Sequence, residues 1–292
     1  MTAAALSQSV SVHPRGETWC DGGTIAALAT RSLELELETW PKPGLVSHID
    51  NGSHNDMNAA LFRASARAIA PYFAALADAG AAGQGMGRLR VIGLEAEAAM
   101  MKATDGINTH RGAIFGLGLL CAAYGARAAG LAGPVIPLGT VVASLWGRTI
   151  LDGPLPLHSH GAQARRRYGS GGARMEAAQG FPNLYQVGLP ALRRAALAAP
   201  NDDEAQRVEA CFALIASVED TNLLHRGGSG GLRFAQRTAR QFILDGGVRT
   251  SDWRQRARAV HDSFVARSLS PGGSADLLAM SLFARACEDG AR

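Results

Sequence analysis

The chain has 292 residues, 47% of them hydrophobic and 18% charged, with a formal net charge of +4. Such a length buries a sizeable core, and the low charged share excludes an extended disordered protein. The positive charge is carried almost wholly by arginine, Lys42 and Lys102 being the only lysines. With no dense basic run interleaved with aromatics, a small anionic ligand is favoured over a nucleic-acid groove.

Residues 1–20 hold no sustained period and are expected to form a flexible N-terminal arm. From Thr24 to Thr39 the chain reads as a helix. The alternation Leu33-Glu34-Leu35-Glu36-Leu37-Glu38 would also suit a strand, but Ile25–Ala29 runs into it unbroken, and Pro41 and Pro43 then end it. Further helices are expected at Met57–Ala79, Arg88–Thr104, His110–Ala129, 139–147, 160–167, 189–198, 204–218, 230–244, 252–268 and 271–287. Connections are short and rich in glycine and proline, and strand alternation bounded by hairpin turns is otherwise absent. The fold class is therefore all-α, one compact multi-helix domain over 21–292. The uncharged run from Ala128 to Trp146 is long enough to span a membrane, but Gly133-Pro134 divides it into two helices. Cys20, Cys121, Cys211 and Cys287 are far apart and form no CxxC pair. Buried thiols in a reducing cytoplasm fit that spacing better than a structural zinc site. The N-terminus has no secretion signal pattern, so a soluble cytoplasmic protein is expected.

Chemistry concentrates in five polar, glycine-bearing segments: Glu38–Ser47, Gly52–Met57, Thr104–Gly112, Asp220–Gly228 and Ser270–Asp276. Taken singly, their polar residues read as helix caps: Asp56 before the second helix, Thr109 before the fourth, Asp220 and Asn222 on a short turn, Ser270-Pro271 as cap and first helical residue. Taken together, several helix N-termini converging would themselves make an anion site. His54, His110 and His225 each stand beside an acid, amide or arginine, which favours hydrogen bonding or proton transfer at a ligand. No HExxH zinc signature occurs; oxygen ligands such as Glu38, Asp56 and Asp220 suit Mg2+ completed by phosphate oxygens. Of the neighbouring Glu95 and Glu97, one could face inward. Lys42, set between two prolines, is a phosphate-clamp candidate, as are Arg111 and Arg226 beside glycines. The run Arg165-Arg166-Arg167-Tyr168-Gly169-Ser170 reads equally as a polyphosphate cover and as a solvated helix end. Neither a P-loop nor a dinucleotide fingerprint is present.

The five segments, in this order and over residues 30 to 285, resemble the triphosphoribosyl-dephospho-CoA synthase family. The resemblance implies an all-helical, Mg2+-dependent enzyme. It would join the 5-triphosphoribosyl group of ATP to the 2'-hydroxyl of 3'-dephospho-CoA, release adenine, and so make the prosthetic-group precursor of an acyl carrier protein. The arginine-rich Gly169 region and the lack of a fused second domain resemble the malonate decarboxylase branch more than the citrate lyase branch. For that chemistry, Glu38, His54, Asp56 and His110 are the expected catalytic residues, with Glu38 and Asp56 also as Mg2+ ligands. Lys42, Ser47, Asn108, Thr109, Arg111, Asp220, Asn222, His225, Arg226, Gly227, Gly228, Gly272, Gly273 and Ser274 would line the nucleotide site. A homodimer is left open. Two rival enzymes are a metal-dependent phosphohydrolase, suggested by His261-Asp262 on a helix, and an N-glycosidase that would release the base without an acceptor. A helical module that chaperones a carrier protein is a third reading, disfavoured by the polar glycine segments.

Overall fold

A computed structural model describes residues 21–154 and 171–289. The expected arm at 1–20 and helix at 160–167, with Cys20 and the arginine run at 165–167, lie outside the described residues. Among those described there are eleven α-helices and no strand. They are α1 (Gly22–Leu37), α2 (Ala59–Ala81), α3 (Met86–Ala103), α4 (Arg111–Ala128), α5 (Leu138–Asp152), α6 (Gly172–Ala178), α7 (Leu189–Ala198), α8 (Asp203–Ser217), α9 (Thr221–Leu244), α10 (Trp253–Val265) and α11 (Gly272–Glu288).

Periodicity explains why α1 is a helix despite its alternating end. Its buried residues Ile25, Ala26, Ala29, Ser32, Leu33, Glu36 and Leu37 recur at helical spacing. Asp21 caps it, its carboxylate accepting from the Thr24 amide at 2.8 Å. The α4 helix is buried on nearly every side from Ala113 to Ala126, so it forms the centre of the bundle. It packs most heavily on α2, which also touches α1 and α3. In a second group α7 and α9 pack on α8, and α10 packs on α9. The α11 helix joins the two groups into one all-α domain, packing on α1 and α4 on one side and on α8 and α9 on the other.

Two elements depart from expectation. The long α9 begins at Thr221 rather than at 230, so His225, Arg226 and Gly227 lie on a helix instead of a loop. A kink at Gly228 (φ 59°, ψ −163°) is what allows the polar stretch to be absorbed. The short α6 and the π-turn Leu184–Gly188 have no periodic signal to announce them. The run 128–146 is divided as expected between the end of α4 and the start of α5, and no described helix is long and apolar enough to cross a membrane. Cys121 and Cys211 are buried free thiols, and Cys287 is buried.

Glycine sets the closeness of the central pair. A methyl added at Gly80 would collide with the Ala122 carbonyl, and one at Gly125 with the Ala77 carbonyl. By contrast Gly87, on the exposed side of α3, would meet nothing. Gly80→Ala should therefore lose about 1–3 kcal/mol through overpacking, whereas Gly87→Ala should gain about 0.4–1 kcal/mol. Chemical denaturation of the two variants checks the opposite signs.

Candidate functional site

The five polar segments meet at one end of the bundle, around the first turns of α4, α9 and α11. At the centre is Lys42, 0% exposed. Its ammonium lies against the buried Glu36 carboxylate and donates to the Glu36 carbonyl at 2.7 Å. That carbonyl belongs to the last turn of α1, where a cation is favoured. Burial pushes the Glu36 carboxyl up, against the pull of Lys42. The Lys42 carbonyl accepts from His261 Nδ1 at 2.7 Å, and His261 Nε2 lies 3.3 Å from Asp50. Asp50 in turn accepts from the Trp40 indole and the Gly52 amide, both at 2.9 Å. One chain of polar contacts thus fixes the loop from Trp40 to Ser53.

Asp220 and Asp276 complete the interior charge. Asp220 caps α9 by accepting the Asn222 and Leu223 amides, at 2.9 and 3.3 Å. Its other oxygen accepts the Ser274 amide and hydroxyl, at 2.8 and 3.1 Å, and so pins α11 to α9. All of this makes Asp220 a structural staple. Asp276, one turn into α11, lays its carboxyl on the first turn of α4, where the Ala113 N–H supports it and a methyl at Gly112 would collide. Burial first, then the nearby Glu36 and Asp220, push the Asp276 carboxyl well above the usual carboxylate range. It is only partly covered, however, and of the three acids it alone has no side-chain partner among the described residues. The sequence places Asp276 in a motif without marking a role for it.

His110 sits beside this group. Its Nδ1 is 2.7 Å from the Ser65 hydroxyl, to which Thr109 also donates at 2.7 Å. Burial, then the charge of Lys42, lowers the imidazole to about 3. His110 is therefore a neutral ring near pH 7, suited to hydrogen bonding and not to donating a proton as imidazolium. His54 forms a second, outer knot. Arg226 donates to its Nδ1 at 3.1 Å, and its Nε2 lies 2.8 Å from Ser270 Oγ. An arginine cannot accept, so Nδ1 is the acceptor and Nε2 carries the hydrogen. Burial and Arg226 lower the His54 imidazole, against the pull of Asp56. Arg226 also donates to the Ser53 and Ser268 carbonyls, at 3.2 and 3.1 Å, and Ser53 donates to the Leu269 carbonyl at 2.6 Å.

Several capping expectations are corrected. Asp56 does not cap α2: Asn58 does, accepting the Leu61 amide at 3.0 Å, and Asp56 stays 62% exposed, 3.7 Å from His54. At the start of α4 it is Asn108 that accepts the Arg111 amide, at 3.1 Å, while Thr109 turns to Ser65. Ser270 turns to His54 instead of capping α11. Glu38 points away from the centre and pairs with Arg31 at 3.4 Å; its inward neighbour Glu36 takes the place next to Lys42. Arg111 pairs with Glu97 at 2.9 Å. Ser47 is buried and accepts the Ile49 and Asp50 amides, both at 3.2 Å, shaping its own turn. His225 is exposed on α9.

The glycines have local reasons. Side chains at Gly272 and Gly273 would meet Asn222 Nδ2 at 2.7 Å and Asp220 Oδ2 at 3.1 Å, and one at Gly227 would meet Leu269 at 2.6 Å. Gly228 provides the kink. Among the described residues no His, Cys, Asp and Glu group of three could hold a metal. His261 is spent on the Lys42 carbonyl and Asp262 is exposed, so the two do not form a phosphohydrolase centre.

A sequence model of the CitG family, described as ATP:dephospho-CoA triphosphoribosyl transferase, matches residues 23–292. A probable 2-(5''-triphosphoribosyl)-3'-dephosphocoenzyme-A synthase of Pseudomonas putida is 40% identical over 266 residues, 89% of this chain and 92% of the relative. Proteins of the same description from Stutzerimonas stutzeri and Azotobacter vinelandii are 41% and 40% identical, covering 89% and 88% of this chain and 90% and 89% of their own. No solved structure matches the chain.

Lys42→Met leaves Glu36 buried without its partner and should cost about 3–5 kcal/mol. Adding Glu36→Gln should restore most of that loss, as urea denaturation of the single and double variants would show.

Proposed function

This chain belongs to the ATP:dephospho-CoA triphosphoribosyl transferase family, and on that premise we propose that it transfers the 5-triphosphoribosyl group of ATP to the 2'-hydroxyl of 3'-dephospho-CoA, releasing adenine. The observation that carries the reading is the meeting of five distant polar segments at three helix N-termini, with acids of contrasting environment among them. A helix N-terminus favours phosphate through the dipole and the N–H groups that its cap leaves free, and acids held differently can take opposite roles in proton transfer.

In the reaction the acceptor's 2'-hydroxyl oxygen bonds to C1' of the ATP ribose while the C1'–N9 bond to adenine breaks. The hydroxyl proton passes to a base, and adenine takes up one proton as it departs. The triphosphate stays whole. Asp276, which keeps its proton at a pH where ordinary carboxyls have lost theirs, is our choice of acid for the leaving base. Asp56, exposed, is the matching base at the outer knot. With one acid and one base on opposite sides of the sugar, a single displacement inverts the anomeric carbon. His110 would orient a hydroxyl or the purine as a neutral hydrogen-bonding ring. His54, with both nitrogens engaged by Arg226 and Ser270, would hold Arg226 in place, and the Arg226 charge acts on Asp56.

Mg2+ commonly binds through one or two carboxylates and substrate phosphates. Asp56 fits that mode because its oxygens face solvent; Glu38, engaged by Arg31, fits it less well. The ion would neutralise triphosphate charge. The product is a prosthetic-group precursor for an acyl carrier protein, and malonate decarboxylase is the pathway favoured by the arginine-rich sequence around Gly169.

Incubation with ATP, Mg2+ and 3'-dephospho-CoA should yield free adenine and a triphosphoribosyl adduct by mass spectrometry. Adenine formed without the acceptor would instead indicate an N-glycosidase. Because Asp276 binds its proton more tightly folded than unfolded, it costs stability as pH rises from 3.8 upward. Asp276→Asn should therefore abolish turnover yet melt higher than the parent protein at neutral pH; an active variant would remove Asp276 from the chemistry.

A further inference from the structure

Beyond the first turns, α9 has a feature that the transfer site does not use. From Thr221 to Leu244 it contains four arginines, Arg226, Arg233, Arg237 and Arg240, and no aspartate or glutamate. Arg233, Arg237 and Arg240 are exposed and recur at spacings of four and three, which places them on one helix face. Arg267 joins them from the end of α10, its guanidinium 4.3 Å from the Phe234 ring centre. None of these five arginines is paired with a carboxylate among the described residues, whereas Arg31, Arg111, Arg193, Arg254 and Arg256 all are. The side chains of Arg233 and Arg237 have no hydrogen bond or ion pair with any described residue. Arg226 and Arg240 reach only carbonyls and an imidazole, and Arg267 a carbonyl.

A second observation comes from the glycines between Arg226 and Arg233. Gly227 and Gly231 lie against the Leu269 side chain, which would have to shift to admit a methyl at either, and Gly228 has a positive φ that favours glycine. Gly230 has no such reason. It is exposed and helical, and a methyl there would meet nothing within 4 Å. Like Gly87 on α3 it leaves the helix backbone bare, and here the bare turn lies one turn before the unpaired Arg233, so an anion held by that arginine has room to approach the backbone.

We infer that Gly230, Arg233 and Arg237 form the docking surface for the diphosphate of the acceptor, 3'-dephospho-CoA. This rests on the transferase reading. The bare turn lets the diphosphate approach the helix, and the two unpaired guanidiniums match its charge. Arg226 connects this surface to His54 and the outer knot, so a diphosphate here leads its attached ribose toward the site. The triphosphate of ATP is assigned to the helix N-termini, which leaves the arginine face for the second substrate.

The test is calorimetric binding of 3'-dephospho-CoA, a readout that needs no turnover. Arg233→Gln/Arg237→Gln should weaken binding about tenfold or more, one lost charge-assisted contact per arginine. Its dependence on salt should flatten, while ATP affinity and melting temperature stay unchanged. Gly230→Val should weaken the same ligand. Arg194→Gln/Arg249→Gln, which alters cations on a separate concavity between α7, α8 and the end of α9, should change neither ligand. Unchanged 3'-dephospho-CoA affinity in the α9 variants, or a loss confined to ATP, would overturn the assignment, as would absence of binding to the parent protein. Failure of the transfer chemistry itself would show separately, as binding without adenine release.

Discussion

A lysine with no exposed surface has to be matched inside the protein, and the architecture around Lys42 follows from that requirement. Burying an unpaired ammonium costs several kcal/mol, comparable to the whole net stability of a domain, so the fold has to supply its partners. Glu36 supplies the opposite charge and the end of α1 supplies a carbonyl. Both depend on α1 remaining helical through a stretch whose alternation could have paired as strand. The Lys42 carbonyl then recruits His261 from α10, so one residue ties the first helix to the tenth. The balance also reaches outward: the charge of Lys42 helps keep His110 neutral, and that of Glu36 helps keep Asp276 protonated.

Helix N-termini do the rest of the assembly. Asp276 of α11 rests on the start of α4, and Asp220 before α9 holds the start of α11. Each contact needs a glycine where the neighbour enters: Gly112 for Asp276, Gly273 for Asp220, Gly272 for Asn222. Most glycines of these segments thus bring protein groups together, whereas at Gly106 and at Gly230, just beyond the fourth segment, the space opens to solvent. The capping and binding readings of the same residues are compatible because a capped end still directs its remaining N–H groups and its dipole outward.

Much of the fold is legible in the sequence. Helical spacing locates α1 to α5, α7, α8, α10 and α11, and prolines and glycines mark their ends. The start of α9 escapes such reading because four glycines within five residues, Gly227 to Gly231 with Ser229 among them, are ordinarily a helix breaker; here Leu269 packs into the space they leave. In the site, membership is easier to read than role. Glu38 has the motif position, but the same periodicity that makes α1 a helix turns Glu36 inward with Leu33 and Leu37. Asn58, not Asp56, meets the capping need because it lies immediately before the first helical turn. Asp276 carries no sequence signal beyond its motif, since its environment comes from α4 and α1, distant in the chain.

The central claim is that segments far apart in sequence grip one nucleotide at one end of the bundle. Hydrogen–deuterium exchange with and without ATP and Mg2+ reads this directly. Exchange should slow together at residues 44–56, 106–113, 220–231 and 270–276, with little change along α5 and α7. Protection centred instead on the concavity lined by Ala191, Ala195, Glu209 and Val248, with those four stretches unaffected, would contradict it.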